Sequence, residues 1–203
     1  MESTNYWIIS DITNTSTFRL ADSESNASAG TPVAISDDGT GIHSLGISRS
    51  IANIQNVLEE VDLYLERYPT LGGFFFDEMN DADEDENLRY YQDVFDDVHS
   101  RGLFVVQNPG KNFPPSMITV ADNFMSFEGE MDTYNVFTPD SWQAGHASTK
   151  FWHCIKHVPP ENFGAVHARW RTFNASYLWI DEARAEYTAP PRYLEALEAL
   201  EAG

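Results

Sequence analysis

The stretch Gly72-Gly73-Phe74-Phe75-Phe76-Asp77-Glu78 constrains this chain more than any other: a short apolar run ends abruptly in two adjacent carboxylates. Buried parallel strands read as continuous apolar runs. In α/β barrels the chemistry sits at the C-terminal ends of the strands. A second run, Asn123-Phe124-Met125-Ser126-Phe127, closes on Glu128. Two acid-bearing strand ends point to a carboxylate site of the kind that cleaves glycosidic bonds.

Around these runs, strand-like and helix-like segments alternate. Tyr6–Ser10 reads as a strand, with weaker candidates at Pro32–Ser36 and Gly41–Leu45; residues 13–31, rich in Thr, Ser and Asn, read as a loop. Ile51, Ile54, Val57, Leu58, Val61 and Leu65 recur at helical spacing behind Ser50, a residue type suited to the N-cap. A second helix carries Leu88, Tyr91, Val94, Phe95 and Val98 on one face, and Gly102 is placed to end it in a left-handed cap. Leu103–Val106, Phe151–Ile155 and Tyr177–Ile180 read as further strands, with a short helix near Met117–Val120. Pro159-Pro160 opens a helix with Phe163, Val166, Trp170 and Phe173, and Leu194, Leu197 and Leu200 mark a last one.

Such alternation predicts an α/β fold on a parallel sheet. No Gly-rich phosphate loop follows the first strand, which favours a (β/α) TIM-like barrel over an open nucleotide-binding sheet. A full eight-stranded barrel takes about 250 residues. At 203 residues the expectation is one barrel domain, compact or incomplete on its N-terminal side, with residues 1–40 irregular and polar.

Candidate chemistry gathers at the strand ends. Asp77, Glu78 and Glu128 are the expected catalytic acids. Neighbours in a strand point to opposite faces, so Asp77 and Glu78 cannot both enter a barrel mouth unless the chain turns there. Asn108, in Asn108-Pro109-Gly110, is placed either to hold a sugar hydroxyl or a carboxylate, or simply to make a turn. His157 is expected to contact substrate and His153 to lie in the core or an interface. Tyr134 and Trp179 complete the expected substrate contacts, an aromatic ring at a barrel mouth being suited to stack on a sugar face.

No metal site or cofactor is expected. His153 and His157 are four apart on a strand, more than about 10 Å from one another. Asp81, Asp83 and Asp85 imitate the start of a calcium loop, but Glu86 replaces the required glycine, so a solvated acidic loop is the better reading. Cys154 is the only cysteine, which rules out an intrachain disulfide.

Several segments, taken in order, resemble the spherulin-4-like family of glycoside hydrolases. They are Gly73–Glu78, Tyr90-Tyr91 with its helix, Gly102–Gly110, Ala121-Asp122 with Phe127-Glu128, Ile155–His157 and Tyr177–Ile180, covering roughly residues 41 to 194. The resemblance implies a (β/α) barrel that acts internally on α-1,4-linked polysaccharides of N-acetylgalactosamine or galactosamine. The family's essential acids fall on Asp77, Glu78 and Glu128. Upstream, the family's Asn-Pro element is not recognisable here. The rival class is a non-catalytic glycan-binding or structural module of a larger assembly such as a virion component, or of a homo-oligomer. The resemblance implies an extracellular or virion-associated location, although Met1–Asn5 lacks the pattern of a signal peptide. No stretch has the length of a membrane span.

Charge adds a separate constraint. Against 32 acids stand 12 Lys and Arg, a formal net charge of −20, and only Lys111, Lys150 and Lys156 are lysines. Nucleic acid is not an expected partner, because phosphate binding needs clustered Lys and Arg. A lysine-poor acidic chain that is also rich in aromatics reads as a folded protein adapted to high salt. Raising sodium chloride from 0.1 to 1 M shortens the Debye length from about 10 Å to about 3 Å. The melting temperature should climb across that interval, with most of the gain early. A flat or falling series would leave an ordinary acidic protein.

Overall fold

The computed structural model describes residues 6–9, 16–21, 31–35, 54–69, 71–77 and 79–182, together with positions 193 and 196. Strands β1 (Tyr6–Ile9), β2 (Ser16–Ala21) and β3 (Thr31–Ile35) pair antiparallel in that order. Strands β1 and β3 fall on the candidates Tyr6–Ser10 and Pro32–Ser36, whereas the loop reading of residues 13–31 is corrected. The segment read as loop carries β2, whose Phe18 and Leu20 alternate with Thr17 and Arg19. That period of two is the strand signature, here hidden among flanking Ser, Thr and Asn. The strand candidate Gly41–Leu45, the Ser50 cap and the leucines of the C-terminal helix lie outside the described residues.

In the remaining elements strands and helices alternate, except that only a 3-10 turn stands between the second and third strands of the second sheet. They are α1 (Ile54–Arg67), β4 (Gly73–Phe76), α2 (Asp85–Ser100), β5 (Phe104–Gln107), β6 (Asn123–Glu130), α3 (Met131–Tyr134), β7 (Phe151–Lys156), α4 (Phe163–Trp170) and β8 (Tyr177–Ile180). Strands β4 to β8 form one five-stranded sheet in sequence order, every pair parallel. This is the α/β fold on a parallel sheet that the alternation predicts. The short helix expected near Met117 is a 3-10 turn, Pro115–Thr119, and Pro160–Asn162 makes another before α4.

Local sequence explains the elements. All four residues of β4 are buried, as a strand covered on both faces requires. Helix α2 turns Tyr90, Tyr91, Val94 and Val98 inward, at helical spacing. It stops at Gly102, whose φ of 76° is left-handed and whose N–H bonds the carbonyl of His99 at 2.9 Å. Arg101 then pairs with Asp62 of α1 and Asp97 of α2, fastening the two helices at one end.

The sheet is strongly curved. Strands β4 and β7 are separated by β5 and β6, which in a flat sheet would hold them about 14 Å apart. Yet the rings of Phe75 and Trp152 meet edge-on at 5.8 Å. The concave side is therefore filled by aromatic side chains from non-adjacent strands. A second cluster joins Val166 and Trp170 of α4 to Phe127, Tyr134, Ile155, Val158 and Ile180. Strand β6 carries a bulge: Met125 pairs with Trp152 but Phe127 with His153, leaving Ser126 as the extra residue.

Closeness of β4 and β5 depends on one glycine. A Cβ on Gly73 would stand 2.2 Å from the carbonyl oxygen and 2.9 Å from the carbonyl carbon of Phe104. Backbone cannot yield as a flexible side chain does. Gly73→Ala should therefore lose roughly 2 kcal/mol or more of stability, read as a lower urea midpoint by circular dichroism. A midpoint equal to the parent's would mean that the two strands do not approach this closely.

Candidate active site

The site is built where β4, β5, β6 and β7 end. Side chains two apart on a strand share a face, and Phe75 points into the concave interior, so Asp77 sits on the same side at its mouth. The first connection comes from Asn108, the residue after β5. Its N–H bonds the carbonyl of Phe76 at 2.9 Å, and its carbonyl accepts the N–H of Met79 at 2.9 Å. These two bonds fix the backbone on either side of Asp77.

Gly110 makes the second connection. It has a φ of 66°, its N–H bonds the carbonyl of Met125 at 3.1 Å, and its carbonyl accepts the N–H of Glu128 at 2.9 Å. A regular parallel ladder would take residues two apart on β6. Here the bulge at Ser126 lets Gly110 span three. The consequence is that Glu128 faces the same way as Cys154, its register partner on β7.

The side chain of Asn108 completes the arrangement. Its Nδ2 donates to Asp77 Oδ1 at 2.6 Å and to Glu128 Oε2 at 2.8 Å. Two carboxylate oxygens within reach of one atom identify that atom as the amide nitrogen, because the carbonyl oxygen would be repelled by both. Acceptors on the two N–H bonds of one amide stand roughly 5 Å apart. Asn108 is only 5% exposed, and its Oδ1 has no hydrogen-bond partner among the described residues. Of the uses the sequence offered for Asn108, its side chain makes the contact with carboxylates.

Lys156, the last residue of β7, reaches the other oxygen of Glu128. Its Nζ lies 2.5 Å from Oε1, with side-chain exposures of 15% and 23%. Burial works against the ammonium, but the charge and hydrogen bond of Glu128, with smaller help from Cys154 and Asp77, outweigh it and raise its pKa. The next residue, His157, has a φ of 55°, the only positive φ of a non-glycine among the described residues. Its Nδ1 meets a carboxylate oxygen of Glu130.

Asp77, Asn108, Glu128 and Lys156 are thus brought together, with His157 and Glu130 beside them. Glu78 lies outside the described residues. Two expected substrate contacts are corrected. Tyr134 is fully buried and its hydroxyl meets His153 Nδ1 at 2.9 Å, inside a ring cluster with Phe127, Phe137 and Phe173. Trp179 is 3% exposed, packed in the core opposite Cys154. Tyr134 lies in the layer between the sheet and α4, and Trp179 on the same face as Cys154, so both rings serve as core. His153 is the core histidine expected, and burial pushes its pKa down to about 3, so it is neutral.

Lys156 is the residue that the sequence reading passed over. Its signal was composition: one of three lysines in an acidic chain, standing at a strand end. In the acidic loop Asp81 pairs with Lys111 at 3.1 Å and Asp83 accepts from Ser116 at 2.7 Å. Among the described residues no group of three or more His, Cys, Asp or Glu is placed to hold a metal ion. Chemically, the site offers two carboxylates a bond's reach from one amide, one of them also paired to an ammonium, at the open end of a curved sheet.

Comparison with known proteins agrees with this architecture. The crystal structure of Aspergillus clavatus Sph3 in complex with GalNAc superposes with a TM-score of 0.63 at 20% identity, over 75% of this chain and 68% of that one. At that identity the likeness is one of fold. No curated protein matches the chain. The sequence profile of spherulation-specific family 4 matches residues 43–200. With most of its length matched in this way, the chain belongs to spherulation-specific family 4, Spherulin4.

Proposed function

We propose that this protein is a glycoside hydrolase that cleaves internal α-1,4 links of a polysaccharide containing N-acetylgalactosamine or galactosamine. The observation that carries the proposal is the Asp77–Asn108–Glu128 bridge at the strand ends. The bridge gathers two carboxylates at one strand-end mouth, the residue type that cleaves glycosidic bonds. Support for the sugar comes from the similar fold of Sph3, a structure solved with GalNAc. We further propose that the five parallel strands belong to a (β/α) barrel, consistent with the ring contact between Phe75 and Trp152.

In this reading Glu78 is the general acid that protonates the leaving oxygen. Asp77 and Glu128 both accept hydrogen bonds from Asn108. They share the remaining roles, as nucleophile or in holding water or the substrate's acetamido group, while positive charge develops on the sugar ring. Asn108 and His157 stand at the mouth as substrate contacts.

Incubation with galactosamine-containing polysaccharides, followed by a reducing-end assay, tests the proposal. The parent should release reducing ends. Glu78→Gln and Glu128→Gln should each lower kcat by about 10²- to 10⁴-fold with an unchanged circular dichroism spectrum. Retention of the polymer on immobilised protein without any release of reducing ends would make the protein a glycan-binding module instead.

A further inference from the structure

We propose that Lys156 is a positioning residue that holds Glu128 as an aimed carboxylate, and that the left-handed turn at His157 shapes the strand end that presents it. The inference rests on Glu128 being one of the working acids.

The geometry is specific. Glu128 and Glu130 are two apart on β6 and share a face, and so do their register partners Cys154 and Lys156 on β7. Lys156 stands directly across from Glu130, yet its ammonium goes diagonally back to Glu128. In a continued strand His157 would project from the opposite face. Instead its φ of 55° turns the chain, and its ring meets Glu130. Two consecutive residues therefore serve two acids on one face: His157 occupies Glu130, and Lys156 is left to Glu128. A non-glycine residue in the left-handed region costs on the order of 1 kcal/mol or more and persists where its surroundings over-determine it. Here the contact with Glu130 does so.

An ordinary exposed lysine–carboxylate pair would have little effect on its partner. This pair differs in two ways. Both side chains are mostly shielded, at 15% and 23% exposure. Glu128 also has its second oxygen on Asn108, whose other acceptor is Asp77. Among the described residues, the charged and titratable groups at the strand ends around Glu128 include Asp77 from β4, Lys156, Cys154 and His157 from β7 and its end, Asp181 just past β8, and Glu130 on its own strand. Asp77 and Glu130 favour protonation of Glu128. Lys156 opposes it from hydrogen-bond distance, where an opposite charge moves a carboxyl pKa by about 1–3 units.

The test reads Glu128 directly, without substrate. Protein labelled with ¹³C at the glutamate carboxyl carbons is titrated by NMR, and Glu128 is assigned by the resonance missing from Glu128→Gln. In Lys156→Met the midpoint of Glu128 should rise by about one unit or more over the parent, and Lys156→Arg should restore most of the difference. His157→Val, which disfavours positive φ, should move the midpoint in the same direction as Lys156→Met. His157→Gly, which accepts that backbone, should move it less. Any pH limb of kcat/KM that belongs to Glu128 should shift alkaline by the same amount in Lys156→Met. Should Lys156→Met not fold, Lys156→Gln is titrated in its place. The same midpoint in parent and lysine variant would overturn the proposal. A shifted midpoint in a protein that releases no reducing ends would uphold the ion pair and refute the hydrolase reading alone.

Discussion

One amide group, that of Asn108, organises the candidate site. Two carboxylates about 5 Å apart at a partly shielded mouth repel one another, and one would tend to take up a proton. A single NH₂ between them supplies a donor to each, and hydrogen bonds to charged acceptors are each worth about 1.5–3 kcal/mol. No other uncharged side chain except glutamine offers two donors from one atom. The backbone of the same residue ties down the chain on both sides of Asp77, and Gly110 two residues on ties down Glu128. Removing Asn108 would therefore disturb position and protonation together.

That arrangement depends on how the sheet is made. Asp77, Asn108 and Glu128 come from three successive strands, and curvature turns their ends toward a common point. The contact between Phe75 and Trp152 registers that curvature one layer below. Gly73 allows β4 and β5 to approach at their N-terminal ends. The bulge at Ser126 resets the alternation of β6, so that Phe127 joins the cluster of α4 while Glu128 faces the interior. Polar function at the strand ends thus rests on apolar packing beneath it, with backbone irregularities at Ser126, Gly110 and His157 doing the re-aiming.

Much of this could be read from the residues alone. The parallel α/β sheet followed from apolar runs separated by helical periodicity, and the Gly102 cap from a glycine just past such a run. Asp77 and Glu128 stood out because each ends an apolar strand. Other features were opaque for identifiable reasons. β2 hid in a Ser- and Thr-rich segment, since its alternation rests on only Phe18 and Leu20. The bulge has no local signature, and it decides which way Glu128 faces. Tyr134 and Trp179 were expected at the mouth because aromatic rings suit sugars, but the same rings suit a core, and only depth separates the two uses. Lys156 stood out as a rare lysine within the Ile155–His157 segment, but its partner lies 28 residues away across a strand pair.

The most direct test of the site is a crystal structure of Glu78→Gln, a variant chosen to halt turnover, soaked with an oligosaccharide of α-1,4-linked N-acetylgalactosamine. The account predicts a glycosidic bond held over the Asn108 bridge, with an anomeric carbon about 3–3.5 Å from a carboxylate oxygen of Asp77 or Glu128, the distance of a near-attack geometry. A sugar bound on another face of the molecule, with the Asp77–Asn108–Glu128 bridge untouched, would contradict it.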